Sequence, residues 1–142
     1  MIYFDACYIA KFYLAEPDSV TVIACAQSHA SVGCVLLGKA EVASVFHRKF
    51  RENIVDLKGL HLLCDQFEAD CVSGLWQWHP MDDGLMDLAM QHFRSLPSTA
   101  FLRASDALHL ACASANGFTN IYTSDRHMAA AAAAFGLQAV TL

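Results

Sequence analysis

Ile2-Tyr3-Phe4-Asp5-Ala6-Cys7 opens the chain with a short apolar run that ends at an aspartate and passes at once into a helical pattern. From Ala6 to Leu14 the residues Ile9, Phe12 and Tyr13 share one face, the spacing of an amphipathic helix. The same hand-over recurs along the chain. Glu16-Pro17-Asp18-Ser19 breaks the first helix and caps a second through about Ser28, and Ser31 to Val35 reads as a strand. Gly38 to Arg51 is a helix with Val42, Val45, Phe46 and Phe50 turned inward. Asp56 caps a longer one, Leu57 to Val72, where Leu60, Leu63, Cys64, Phe67 and Cys71 recur at helical spacing and Gly74 is the stop.

Leu75 to His79 is a strand, and Pro80 and Asp82 open a helix to about Ser95. After the loop Leu96-Pro97-Ser98-Thr99, Ser105 is the expected N-cap of a helix carrying Asp106, His109 and Cys112, which Asn116-Gly117 stops. Asn120 to Thr123 is a strand, an alanine-rich packed helix ends at Gly136, and Gln138 to Thr141 is the last strand. Strands alternating with single or paired helices imply an α/β fold, its mostly parallel central sheet covered on both faces. In such sheets ligands bind beyond the carboxyl ends of the strands. Asp5 and Asp125 both follow strands and are expected at that edge.

The 142 residues fit a single domain, 1–142, with one core. A hydrophobic fraction of 56% and a mean hydropathy of +0.34 suggest apolar surface left for a partner or a second copy. No apolar run approaches the roughly 20 residues that cross a bilayer, so a cytoplasmic protein without membrane contact is expected. Six cysteines form no C-x-x-C pair and sit in periodic apolar segments, which favours buried thiols over a disulfide framework or zinc site. The net charge of −5 argues against nucleic-acid binding by bulk electrostatics, although not against a local basic rim.

Four acids stand where a strand or loop turns into a helix: Asp5, Glu41, Asp106 and Asp125. Each has a plain explanation alone, since aspartate caps orphan amides and a glutamate early in a helix is favoured by the macrodipole. Together they read as a cage for a hard cation. Carboxylates gathered without one repel each other and take up protons, whereas Mg²⁺ or Mn²⁺ prefers such oxygen ligands. Arg103 and His109 stand three residues to either side of Asp106 and can share its helical face.

Ile2 to Cys7, Glu41-Val42-Ala43-Ser44, Arg103-Ala104-Ser105-Asp106-Ala107-Leu108-His109-Leu110-Ala111 and Thr123-Ser124-Asp125-Arg126 together resemble a PIN domain of the VapC toxin type. The likeness spans nearly the whole chain in order. It implies a three-layer α/β/α sandwich and a Mg²⁺- or Mn²⁺-dependent endoribonuclease of a type II toxin–antitoxin pair, held by a cognate antitoxin and commonly a homodimer. It also implies that Asp5, Glu41, Asp106 and Asp125 are the catalytic, metal-holding acids, that Thr123 supports them, and that Arg103 is structural or phosphate-facing. One departure is Cys7, where such proteins carry Ser or Thr. A thiol donates only a weak hydrogen bond to a carboxylate or bound water.

Arg48 and Lys49 place positive charge on the helix that leaves the acidic cluster, either as a solvated face or as a guide for the RNA backbone. His109 with Cys112 lacks further zinc ligands at usual spacing, so a packed or hydrogen-bonded histidine is expected. Trp76 and Trp78 are read as core or interface. Two rivals remain. One is a non-catalytic PIN-like module that holds an antitoxin or oligomeric partner; the other is a haloacid-type enzyme with Asp5 as nucleophile, which wants an aspartate where Cys7 stands.

Overall fold

A computed structural model describes every residue from Met1 to Leu142. β1 (Ile2–Tyr3) leads into α1 (Ala6–Tyr13) and α2 (Ser19–Gln27), and β2 (Val32–Val35) into α3 (Gly38–Arg51) and α4 (Leu57–Ser73). β3 (Trp76–His79) precedes α5 (Asp83–Ser95) and α6 (Ala104–Ala115). β4 (Asn120–Tyr122) is followed by α7 (Arg126–Ala131), a 3-10 turn over Ala132–Phe135 and β5 (Gln138–Val140).

All strand pairs are parallel. β1 lies on β2 with Ile2 opposite Val32, β2 lies on β3 with Val32 opposite Trp76, and β4 lies on β5 with Asn120 opposite Gln138. The three-stranded and two-stranded pieces join through a Phe4–Tyr122 bridge and the Asp5 N–H donating to the Tyr122 carbonyl at 3.0 Å. The layer therefore runs β3-β2-β1-β4-β5, with β1 at its centre.

Side-chain alternation along the strands divides the interior in two. Ile2, Phe4, Val32, Cys34 and Trp76 pack with Tyr8, Ile9, Val42, Phe46 and Phe67 from α1, α3 and α4. Tyr3, Val35 and Ile121 point the other way, onto Leu85, Leu110, Ala111, Met128 and Phe135 from α5, α6, α7 and the 3-10 turn. Helices thus cover both faces of a parallel layer, which is a three-layer α/β/α sandwich. Under α4, Trp76 Nε1 donates to Tyr13 Oη (2.7 Å), and Tyr13 Oη donates to Asp70 (2.8 Å). Rings of Tyr13, Phe46 and Phe67 meet edge to face around that chain, so both tryptophans pack against this core.

Local details differ from the sequence reading at four places. α6 begins two residues early, with Arg103 rather than Ser105 at the cap position and the Ala107 N–H already bonded to the Arg103 carbonyl. Asp18 stands at the α2 cap position but makes no cap bond, because Lys11 takes its carboxylate. Ser19 closes that turn instead, accepting from Glu16 N and donating to Leu14 O at 2.5 Å. The alanine helix tightens into the 3-10 turn before Gly136, whose φ of 73° suits glycine, and this places both Ala132 and Phe135 in the core. Cysteines also part company: Cys34 and Cys112 are buried, Cys25, Cys64 and Cys71 half-buried, and Cys7 exposed.

Candidate functional site

Because β1 and β4 are parallel neighbours, the residues just past their ends lie side by side. Asp5 follows β1 as the N-cap of α1, its Oδ1 accepting from Tyr8 N at 2.9 Å. Asp125 follows β4 as the N-cap of α7, its Oδ1 accepting from His127 N (2.7 Å) and Met128 N (3.0 Å). Both capping readings are therefore true. Thr123, fully buried, ties the two caps together: its hydroxyl donates to Asp5 Oδ2 at 2.5 Å and accepts from Asp125 N at 3.0 Å.

Glu41 arrives from the first turn of α3 and Asp106 from that of α6, on opposite faces of the sheet. All four acids line one open cavity of about 400 Å³, with Cys7, Ser44, Arg48, Arg103, Ser105 and His109 in its walls. Lys49 lies elsewhere. It pairs with Glu16 at 2.6 Å beside a second, more apolar cavity, while Arg48 forms no ion pair and faces the acidic one.

Arg103 occupies much of the charge. Its Nε donates to Asp106 Oδ2 at 2.9 Å and its Nη2 to Asp125 Oδ2 at 2.6 Å, so one guanidinium bridges α6 and α7. Burial acts on Asp125 to raise its pKa, but the two helix amides and Arg103 outweigh it and hold the carboxyl below its ordinary value. Glu41 behaves alike: burial raises it, and the hydrogen bond from His109 at 2.7 Å wins, leaving it lowered. Asp5 goes the other way. At 2% exposed, its carboxyl is raised by burial, with the Glu41 charge adding, against the opposing bonds from Thr123 and Tyr8. Cys7 stands next to it on the cavity wall, where desolvation first and the Asp5 charge second push the thiol up to about 12. That thiol stays protonated at neutral pH.

The donor set suits a hard divalent ion in chemistry, being carboxylate oxygen throughout. A cation also offsets what the protein leaves uncompensated at Asp5. No three acidic, histidine or cysteine side chains converge tightly enough to enclose an ion in this arrangement, so the cage expected from the sequence is open here, and Arg103 bridges Asp106 and Asp125. At 56% side-chain exposure it is the most solvent-accessible member of that trio.

Two contributors escaped the sequence reading. Ser44 and Ser105 line the cavity, and only the i+3 step from Glu41 to Ser44 hinted at either. His109 shares the helix with Asp106 as expected, yet bonds across the cavity to Glu41.

No family model matches the chain, and no curated protein does. Solved structures do. VapC20 of Mycobacterium tuberculosis, described as a sarcin-ricin loop cleaving toxin, superposes with a TM-score of 0.73 at 16% identity over 92% of this chain and 95% of that one. FitAcB of Neisseria gonorrhoeae matches with a TM-score of 0.75 at 19% identity, covering 98% of this chain and 96% of its own. FitAB bound to an IR36 DNA fragment gives 0.73 at 17% identity, over 99% and 94%. The fold is the PIN-domain fold of VapC-type toxins. In this PIN fold the acidic cavity lies at the carboxyl edge of the central strands, the place an open parallel sheet reserves for ligands.

Proposed function

We propose that this chain is a metal-dependent endoribonuclease, the toxin of a type II toxin–antitoxin pair, that hydrolyses phosphodiester bonds in single-stranded or loop RNA of the cytoplasm. The observation that carries this reading is that four carboxylates, drawn from both faces and two strand ends, line one open cavity rimmed by Arg48 and Arg103. A scaffold gains nothing from placing a buried carboxylate such as Asp5 beside a second acid. Mg²⁺ or Mn²⁺, when bound, supplies a water of lowered pKa and screens charge on the attacked phosphate.

Asp5, Glu41 and Asp106 would hold the ion, with Asp125 completing the set as Arg103 withdraws toward solvent. Thr123 orients the Asp5 carboxylate, and Arg103, freed, faces a phosphate oxygen with its fork of donors. Arg48 draws the backbone to the cavity mouth. Exposed Ile54 and Leu62 line the second cavity beside the α3–α4 turn and offer an apolar face to an antitoxin or a second copy.

The non-catalytic alternative draws on one observation, the Arg103 bridge that already neutralises two of the acids. One assay separates the two. The purified chain, incubated with a mixed RNA pool and Mg²⁺ or Mn²⁺, cleaves RNA; EDTA, Asp5→Asn and Asp106→Asn each stop it. Cleavage that survives chelator or both substitutions rejects the mechanism. An inert wild-type chain that still captures a partner leaves the binding module.

A further inference from the structure

His109 is enclosed on α6 at 1% exposed, and each of its ring nitrogens has a partner from another element. Nε2 lies 2.7 Å from Glu41 Oε2 on α3, and Nδ1 lies 3.2 Å from Tyr3 Oη on β1. Tyr3 Oη in turn accepts the Val35 N–H of β2 at 3.0 Å. An ionised carboxylate only accepts, so Nε2 donates to Glu41, while Nδ1 and Tyr3 Oη lie within hydrogen-bond reach of each other.

We propose that His109 is a positioning residue for Glu41, passing a hydrogen-bond chain from the sheet through Tyr3 to the carboxylate and fixing where that carboxylate points in the cavity. The inference rests on the metal-dependent reading above. Glu41 is long, 29% exposed in its side chain, and could be solvated by water alone. Holding such a chain in one rotamer costs side-chain entropy, which an aligned bond from a rigid donor offsets. The donor is rigid because its surroundings are. Tyr3 meets the imidazole edge to face at 6.0 Å. Gly38, one turn before Glu41, sits so close to the sheet that a Cβ there would lie 2.5 Å from Cys34 Sγ and 3.8 Å from His109 Cε1. Glycine at that position lets α3 come near enough for Glu41 to reach the imidazole. Acids that hold metals are themselves held by hydrogen bonds, and loss of such a support costs about 10–100-fold in affinity.

The test uses the whole chain and Mn²⁺ alone, titrated by calorimetry into wild type, His109→Gln and His109→Asn. Glutamine places an amide donor near the Nε2 position, whereas asparagine is too short to reach Glu41. His109→Gln is expected within about threefold of wild type and His109→Asn about 10–100-fold weaker. In the metal-free wild type, nitrogen NMR at neutral pH shows the His109 hydrogen on Nε2, with that resonance displaced by Glu41→Gln. If wild type binds Mn²⁺ and His109→Asn binds it equally, or if both substitutions lose affinity alike, the positioning role is wrong while the nuclease reading stands. If wild type binds no Mn²⁺, the nuclease reading falls and this role with it. Should His109→Asn fail to fold, the nitrogen spectrum decides: hydrogen on Nδ1 overturns the proposal.

Discussion

Thr123→Val removes a single hydroxyl from a position without solvent contact, and that hydroxyl serves both caps of the site. Two consequences follow. Asp5 Oδ2 loses its donor, a bond to a charged group worth about 1.5–3 kcal/mol, and Asp125 N loses its acceptor at a further cost of about 1 kcal/mol. The added methyl recovers about 0.8 kcal/mol by burial. The net loss is about 2–3 kcal/mol. Unfolding entropy of about 2.1 cal/mol/K per residue gives about 0.3 kcal/mol/K for 142 residues, so the midpoint should fall by about 7–10 °C. Thermal melts followed by circular dichroism in EDTA read this directly. Thr123→Ser keeps the hydroxyl and should lose only about 3 °C. Mn²⁺ should restore part of the Thr123→Val deficit, because a cation replaces the missing donor at Asp5. A Thr123→Val midpoint within about 2 °C of wild type, or a Thr123→Ser midpoint equally low, would refute the idea that this hydroxyl holds the site together.

Removing the Lys11 charge tests a pH window away from the cavity. The Lys11 hydrogen bond holds Asp18 below its ordinary value, so the pair's contribution is fully present above about pH 4 and is lost as pH falls through the lowered folded pKa. Lys11→Met should cost about 1 kcal/mol or less at pH 7, and the gap between the two melting curves should close toward pH 2. Arg48→Ala should flatten the salt dependence of single-stranded RNA binding by about 0.7 in log–log slope, while Lys49→Ala, already paired with Glu16, should leave it unchanged; fluorescence anisotropy at several salt concentrations measures both. Mn²⁺ at about 100 times its dissociation constant should stabilise wild type by about 2.7 kcal/mol, and a melt of Asp5→Asn or Asp106→Asn should show no such shift.

The strand-to-helix hand-over at Asp5 was legible because apolar periodicity and capping chemistry are local, and the parallel sheet followed from the alternation of elements. Helix ends were less so. Ser105 has the chemistry of an N-cap, yet Arg103 takes that position through its bridge to Asp106 and Asp125, and the second of these lies 22 residues away in sequence. Asp18 is similar: a good cap in isolation, diverted by a lysine seven residues earlier.

The order of elements and the placing of each acid at a helix start were fixed by sequence, since these depend on neighbours within a turn or two, whereas the single core expected from the length divides into two clusters across the sheet. Tertiary structure alone decided that Arg103 stands between two of the acids, that Thr123 joins two caps, and that His109 serves Glu41 rather than Asp106. The long-range bond in each of those arrangements spans 22 to 118 residues and turns on ångström-level direction. A hydrogen bond weakens steeply with misalignment, so its partner is chosen only once packing has set where each side chain points.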